Sequence, residues 1–145
     1  MPVHAGVPDG VCPATDFIRI SAAGQVFPCC TPGWPPALLI GNARERSIAE
    51  LLAANRHSSL LRYLREVGPG RLLQAARRVG DWQDDSRYVN VCHLCQQILT
   101  TASRDPAVMA EVTREVDAWL ADRERRRQQA AQVAEVAMSF FGEEP

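Results

Sequence analysis

Short apolar runs separated by turn residues characterise the first part of the chain. Residues 17–20 and 25–27 are two such runs, and a glycine lies in the turn between them. This arrangement predicts a β-hairpin, and Pro28 ends its second strand because proline cannot donate a ladder hydrogen bond. The Pro- and Gly-rich stretch 31–46 predicts a loop that contains one short extended piece at residues 38–40.

From residue 47 onward, apolar residues recur at the three- and four-residue spacing of helices. Ser47, with Glu50 three residues later, predicts a capping box that begins the first helix. Leucines at helical spacing predict a second helix over residues 57–67, which Gly68 ends. A third, short helix follows over residues 72–79.

The last third of the chain also carries helical signals. A polar, turn-like stretch at 81–87 precedes a helix that opens near Cys92, and Asp105 caps a final helix with Pro106 in its first turn. This final helix carries an apolar stripe formed by Val108, Val112, Val116, Trp119 and Leu120. The pattern extends to residue 141, which allows one long helix or two.

The predicted fold class is therefore α+β and mostly helical: a short N-terminal β-hairpin, several helices and a long C-terminal helical segment. The length of 145 residues is that of a single compact unit rather than two large ones. Within it we expect a domain over residues 1–103 and a C-terminal helical extension over residues 104–145.

Composition and charge narrow the functional classes. Hydrophobic residues make up 46% and charged residues 23%, with a net charge of −1, so no electrostatic argument favours a nucleic acid or a membrane surface as partner. No apolar stretch approaches the ~20 residues of a membrane helix, and the sequence at residues 1–4 lacks the basic and apolar parts of a secretory signal. We expect a cytoplasmic protein, in which thiols stay reduced.

Five cysteines are the candidate chemistry. Cys92 and Cys95 form a CxxC step, a spacing that lets both sulfurs turn toward one ion or one cluster edge. A thioredoxin-like redox pair is disfavoured because no βαβ unit is predicted around it. Cys12 precedes the hairpin and Cys29 follows it directly, so the hairpin brings the two together. Four converging thiolates suit either a tetrahedral zinc or a [4Fe–4S] cluster, and spacing alone does not decide between them.

In order and spacing, these residues resemble the SPASM domain, the cysteine-rich C-terminal extension of many radical S-adenosylmethionine enzymes. Eleven residues separate Cys12 from Gly24, and four more separate that glycine from Cys29, as in the opening signature of the family. The Gly-Asn pair at 41–42 and the segment 47–52 are similar to a later part of the family pattern, and a CxxC closes it.

The resemblance covers residues 12–98 and implies that Cys12, Cys29, Cys92 and Cys95 ligate one auxiliary [4Fe–4S] cluster. Cys30 is then the spare, although it is also the alternative to its neighbour as ligand. No cysteine follows Cys95, so no second cluster is expected. The CxxxCxxC motif that holds the S-adenosylmethionine-cleaving cluster is absent, and no residue is assigned a catalytic role.

Three functions are compatible with these observations. The first is an iron–sulfur module that is accessory to, or a fragment of, a radical S-adenosylmethionine enzyme. Its partner is then that enzyme's core or a peptide or protein substrate, and its role is docking or electron relay. The second is a zinc-stabilised structural domain that uses the same four thiols. The third is a protein-interaction domain in which the C-terminal helices do the binding.

Overall fold

The computed structural model describes residues 8–13, 17–29, 33–79 and 88–141, without the side chains of residues 140 and 141. Within these ranges the fold is mostly helical, with a small antiparallel sheet near the N-terminus, which confirms the predicted class. None of the helices in these ranges is both long enough and apolar enough to cross a bilayer.

The sheet is built around the predicted hairpin. Strand β1 (Arg19–Ile20) pairs antiparallel with β2 (Gln25–Phe27), and β2 pairs antiparallel with β3 (Gly41–Asn42). The hairpin prediction is confirmed, but the extended piece predicted at residues 38–40 is displaced. The segment Pro36–Leu38 forms a 3-10 turn instead, because a proline at the first helical position favours a helical turn.

The hairpin turn requires a glycine because β3 approaches it closely. Gly24 has a φ of +84°, and a Cβ at this position would lie 2.5 Å from Oδ1 of Asn42. The same Oδ1 accepts a hydrogen bond from the backbone N–H of Arg44 (2.9 Å), and the carbonyl of Gly24 accepts one from Ala43 (2.8 Å). The turn and β3 therefore form one unit, and two parts of the sequence signature meet in it.

Five helices follow within the described residues: α1 (Ile48–His57), α2 (Ser59–Glu66), α3 (Gly70–Ala76), α4 (Val91–Ala102) and α5 (Pro106–Phe141). The capping box at α1 is confirmed: Ser47 Oγ accepts from the backbone N–H of Glu50 (3.3 Å), whose Oε2 accepts from the N–H of Ser47 (2.8 Å). Oδ1 of Asp105 accepts from the N–H of Ala107 (2.9 Å), which confirms the predicted cap of α5.

Two helix boundaries differ from the predictions. His57 ends α1 rather than beginning the next helix, because Ser58 breaks the pattern and caps α2 by accepting from the N–H of Leu61 (3.4 Å). Helix α3 ends at Ala76, several residues earlier than predicted. The polar turn predicted at residues 81–87 lies outside the described residues.

The core lies where α2, α3 and α4 pack against the first half of α5. Val108, Val112 and Val116 of the predicted stripe are buried there. Helix α5 also buries Glu115, whose Oε1 lies 3.0 Å from the hydroxyl of Tyr63 and 3.0 Å from Nη2 of Arg71. Buried polar groups are stabilised when such partners satisfy them. The division of the chain at residue 103 stays a prediction.

The second half of α5 differs from the first. At 36 residues this helix is ~54 Å long, and all side chains from 124 to 139 are exposed. Arg123, near the start of this half, donates to Oε1 of Glu66 (2.6 Å) and lies over the ring of Trp119. Intrahelical ion pairs between Asp122 and the following arginines continue along the exposed helix.

Candidate metal centre

The segment that carries Cys12 is held against the C-terminal end of α2. The backbone N–H of Cys12 donates to the carbonyl of Leu64 (2.8 Å). Two residues before the cysteine, Gly10 contacts Gly68 so closely that a Cβ at Gly68 would overlap the carbonyl oxygen of Gly10. Gly68 itself has a φ of +86°. A glycine at this position therefore allows both the turn after α2 and the approach of the Cys12 segment.

Cys29 is positioned by the end of the hairpin. It follows β2 and Pro28, and the last two residues of β2, Val26 and Phe27, are buried. The ring of Phe27 stacks on that of Trp34 with centroids 4.7 Å apart. Because Trp34 follows Cys29 in the chain, this contact also holds the segment after the cysteine. The strand therefore anchors Cys29 in the core from its N-terminal side.

Cys92 and Cys95 lie in the first turns of α4. Asn90 caps this helix by accepting from the N–H of His93 (2.8 Å), and the buried Leu94 holds the helix against the core. The first turn of a helix has unused backbone N–H groups and the positive end of the helix dipole, both of which favour negatively charged ligands. His93 faces elsewhere: its Nδ1 accepts from the N–H of Val89 (3.3 Å) and its Nε2 lies 3.0 Å from Nε2 of Gln97.

The four predicted cysteines line one cavity of about 190 Å³. Apart from the cysteines, its lining is mostly apolar and includes four prolines, three leucines, Phe17 and Val91, with Arg65 and Gln96 as the polar members. The structure thus brings together cysteines that are up to 83 positions apart in the chain. Cys30 lies outside the described residues, so the choice between it and Cys29 stays a prediction.

Electrostatics indicate that the four sulfur atoms share this space. The pKa of the Cys95 thiol is raised well above its ordinary range, first by burial and then by the neighbouring thiols of Cys12, Cys29 and Cys92. The Cys95 residue as a whole is half-buried, so its sulfur is the more enclosed part. A bound cation reverses this preference, because metal ligation requires the thiolate.

The donor set is chemically uniform. No carboxylate or imidazole is among the described residues that line the cavity, and a set of soft thiolates suits zinc or an iron–sulfur cluster. In the described parts of the chain, no three His, Cys, Asp or Glu side chains are grouped closely enough to hold one metal ion. Because all four donors are thiols, the residues present fit a thiolate-ligated centre, either zinc or an iron–sulfur cluster.

The sequence patterns did not predict one polar residue of the cavity wall, Arg65, or the residue that it contacts, Asn55. Arg65 lines the cavity, and its guanidinium donates to Oδ1 of Asn55 (2.8 Å) and to the backbone oxygen of Asn55 (3.5 Å). Asn55 lies four positions after the buried Leu51 on α1. In the sequence, the one sign of this pair is that the polar residue Asn55 falls at a spacing that places it on the buried face of α1.

Comparison with protein families gives one match. The model of the SPASM domain, described as an iron–sulfur cluster-binding domain, matches residues 12–96. This range begins at the first cysteine of the cavity and ends just after the last. No curated protein and no solved structure matches the chain significantly.

Proposed function

Because the chain belongs to the SPASM family of iron–sulfur cluster-binding domains, we propose that Cys12, Cys29, Cys92 and Cys95 ligate a single [4Fe–4S] cluster. The observation that carries this proposal is the single cavity lined by all four cysteines. A cluster bound by four thiolates supplies one-electron transfer. We further propose that the domain relays electrons for a radical S-adenosylmethionine enzyme core in the cytoplasm.

The size of the site supports a cluster over a single zinc ion. Zinc binds thiolates at ≈ 2.3 Å, which places four sulfurs about 3.8 Å apart at the corners of a tetrahedron. Among the described residues, no His, Cys, Asp or Glu side chains are grouped tightly enough to hold one ion, although the four cysteines line one cavity of about 190 Å³. A [4Fe–4S] cluster needs a wider site, because each thiolate binds a different iron.

Relay is favoured over substrate activation by the ligand count. With all four positions taken by protein thiolates, no iron is left open to a substrate. Relay also requires a centre near the surface, and each of the four cysteine residues is half-buried rather than fully enclosed. Phe17, which lines the cavity, is 45% exposed, so the wall of the site reaches the outer surface. A partner that docks there approaches the centre directly.

Anaerobic reconstitution with iron and sulfide tests the cluster. We expect brown protein with about four irons and four sulfides per chain, and loss of iron in each single Cys→Ser variant of the four cysteines. The matched control is Cys30→Ser, which should retain iron. Colourless protein with one zinc per chain would overturn the cluster assignment. Retention of iron in Cys29→Ser together with its loss in Cys30→Ser would assign the ligand to the neighbour.

Reversible reduction tests the relay. A centre that passes electrons must accept one electron from dithionite and return it to an oxidised dye without loss of iron. Electron paramagnetic resonance of the reduced protein and iron analysis after one full cycle measure both conditions. Loss of iron on the first reduction would refute the relay role while leaving cluster binding intact.

A further inference from the structure

Asn55 is an unusual residue for its position in the fold. It lies on α1 and is 1% exposed, yet its Nδ2 has no hydrogen-bond partner. Burying an amide with an unsatisfied donor is unfavourable, so such a group in a native structure calls for an explanation. Its two oxygens, Oδ1 and the backbone carbonyl, both accept hydrogen bonds from the guanidinium of Arg65.

Arg65 connects this buried amide to the cysteine cavity. It lines the cavity together with Leu61 and Leu64 of the same helix, α2. Among the described residues that line the cavity, it is the only one with a basic side chain. Its guanidinium is held at two nitrogens, with distances of 2.8 Å to Oδ1 and 3.5 Å to the backbone oxygen of Asn55. Helix α1 thus fixes the guanidinium of an α2 residue whose side chain lines the cavity of the four thiols.

We propose that Arg65, positioned by Asn55, raises the reduction potential of the cluster. This inference rests on the proposed function. On reduction, one electron from a low-potential donor is added to a site that already carries four thiolate charges, with no bond or proton transferred. A fixed cation in the wall stabilises the more negative reduced state more than the oxidised state. The largely apolar lining weakens solvent screening of this interaction.

Redox titration of the full-length reconstituted protein with dithionite, followed by visible absorption and electron paramagnetic resonance, tests this role. We expect Arg65→Gln to disfavour reduction about tenfold, which is a midpoint ~59 mV more negative for a one-electron couple. Arg65→Lys keeps the charge, so its midpoint should lie close to that of the wild type. Asn55→Leu removes the contact that positions the guanidinium and should give a smaller shift of the same sign.

The matched control is Arg62→Gln, which removes the same charge from the same helix at a position that does not line the cavity. Its midpoint should equal that of the wild type. If Arg65→Gln does not fold, Arg65→Met keeps the packing of the aliphatic stem and takes its place. Equal midpoints for the Arg65 and Arg62 variants, in proteins with full iron content, would overturn the role of Arg65 alone. A wild-type protein that takes up no iron would overturn the proposed function itself.

Discussion

The contact between Gly68 and Gly10 predicts that one methyl group, placed on a residue that does not line the cavity, weakens the proposed metal centre. Gly68 has a φ of +86°, and a Cβ there would overlap the carbonyl oxygen of Gly10 and lie 3.0 Å from its carbonyl carbon. Both neighbours are backbone atoms, so rotation of a side chain cannot relieve the overlap. In Gly68→Ala the segment that carries Cys12 has to move away from α2.

The expected loss of stability has two parts. An L-residue in a left-handed conformation costs about 1–2 kcal/mol, and overpacking at a close backbone approach adds about 1–3 kcal/mol. Gly33→Ala is the matched control. Its φ of +72° is similar, but its Cβ would meet only Nε2 of Gln96, the end of a flexible side chain, at 3.0 Å. Gly33→Ala should therefore show the cost of the left-handed conformation with little of the cost of overpacking.

Urea unfolding followed by circular dichroism, combined with iron analysis after reconstitution, measures the effect. With a urea m-value of about 1–3 kcal/mol/M, the midpoint of Gly68→Ala should lie about 1 M below that of Gly33→Ala. Its iron content should also be lower, because the backbone of Cys12 is displaced. Equal midpoints and equal iron content in the two variants would refute the view that the Gly10–Gly68 contact positions Cys12.

Three further predictions concern stability. Tyr63→Phe removes the hydroxyl that donates to the buried Glu115, and chemical denaturation should show a loss of about 1–3 kcal/mol because a buried carboxylate loses a partner. An unchanged midpoint would mean that the ion pairs of Glu115 with Arg71 and Arg78 suffice. Ser47→Ala removes the cap of α1 and should lower the free energy of unfolding by ~1 kcal/mol, whereas Ser47→Asp should retain it. In the metal-free protein, the raised pKa of Cys95 means that the folded state keeps a proton that the unfolded state releases. Stability should therefore be complete below the ordinary thiol pKa of 9.0 and fall as the pH rises above it. Thermal melts of Cys95→Ala from about pH 8 to about pH 10 should show a smaller decrease; the same decrease as in the wild type would exclude Cys95 as its source.

Local signals explain why parts of the fold were predictable from the sequence. The capping box at Ser47, the cap at Asp105 and the glycine turn of the hairpin each depend on a few neighbouring residues, and all three are present. The convergence of the cysteines was predictable for a different reason. A hairpin brings its two ends together, and here the ends carry Cys12 and Cys29. The order of motifs in the SPASM pattern then relates these two cysteines to the distant CxxC step.

The missed features depend on contacts between distant segments. Strand β3 forms at residues 41–42 because β2 offers a partner there, and the apolar pattern of the loop contains no information on that register. The break at Ser58 involves neither glycine nor proline, and the helical spacing of apolar residues does not reveal it. The pairing of Arg65 with Asn55 joins two helices, and no periodicity along either helix specifies which side chains meet.

The arrangement of the four cysteines also has a consequence for the time at which the centre can form during synthesis. Cys29 leaves the ribosome about 60 residues before Cys92, and at about 5–20 residues per second this interval lasts about 3–12 s. During that interval the nascent chain presents only the N-terminal thiols, without the helix that completes the cavity. If the four cysteines ligate a cluster as proposed, its stable insertion has to wait until α4 has emerged.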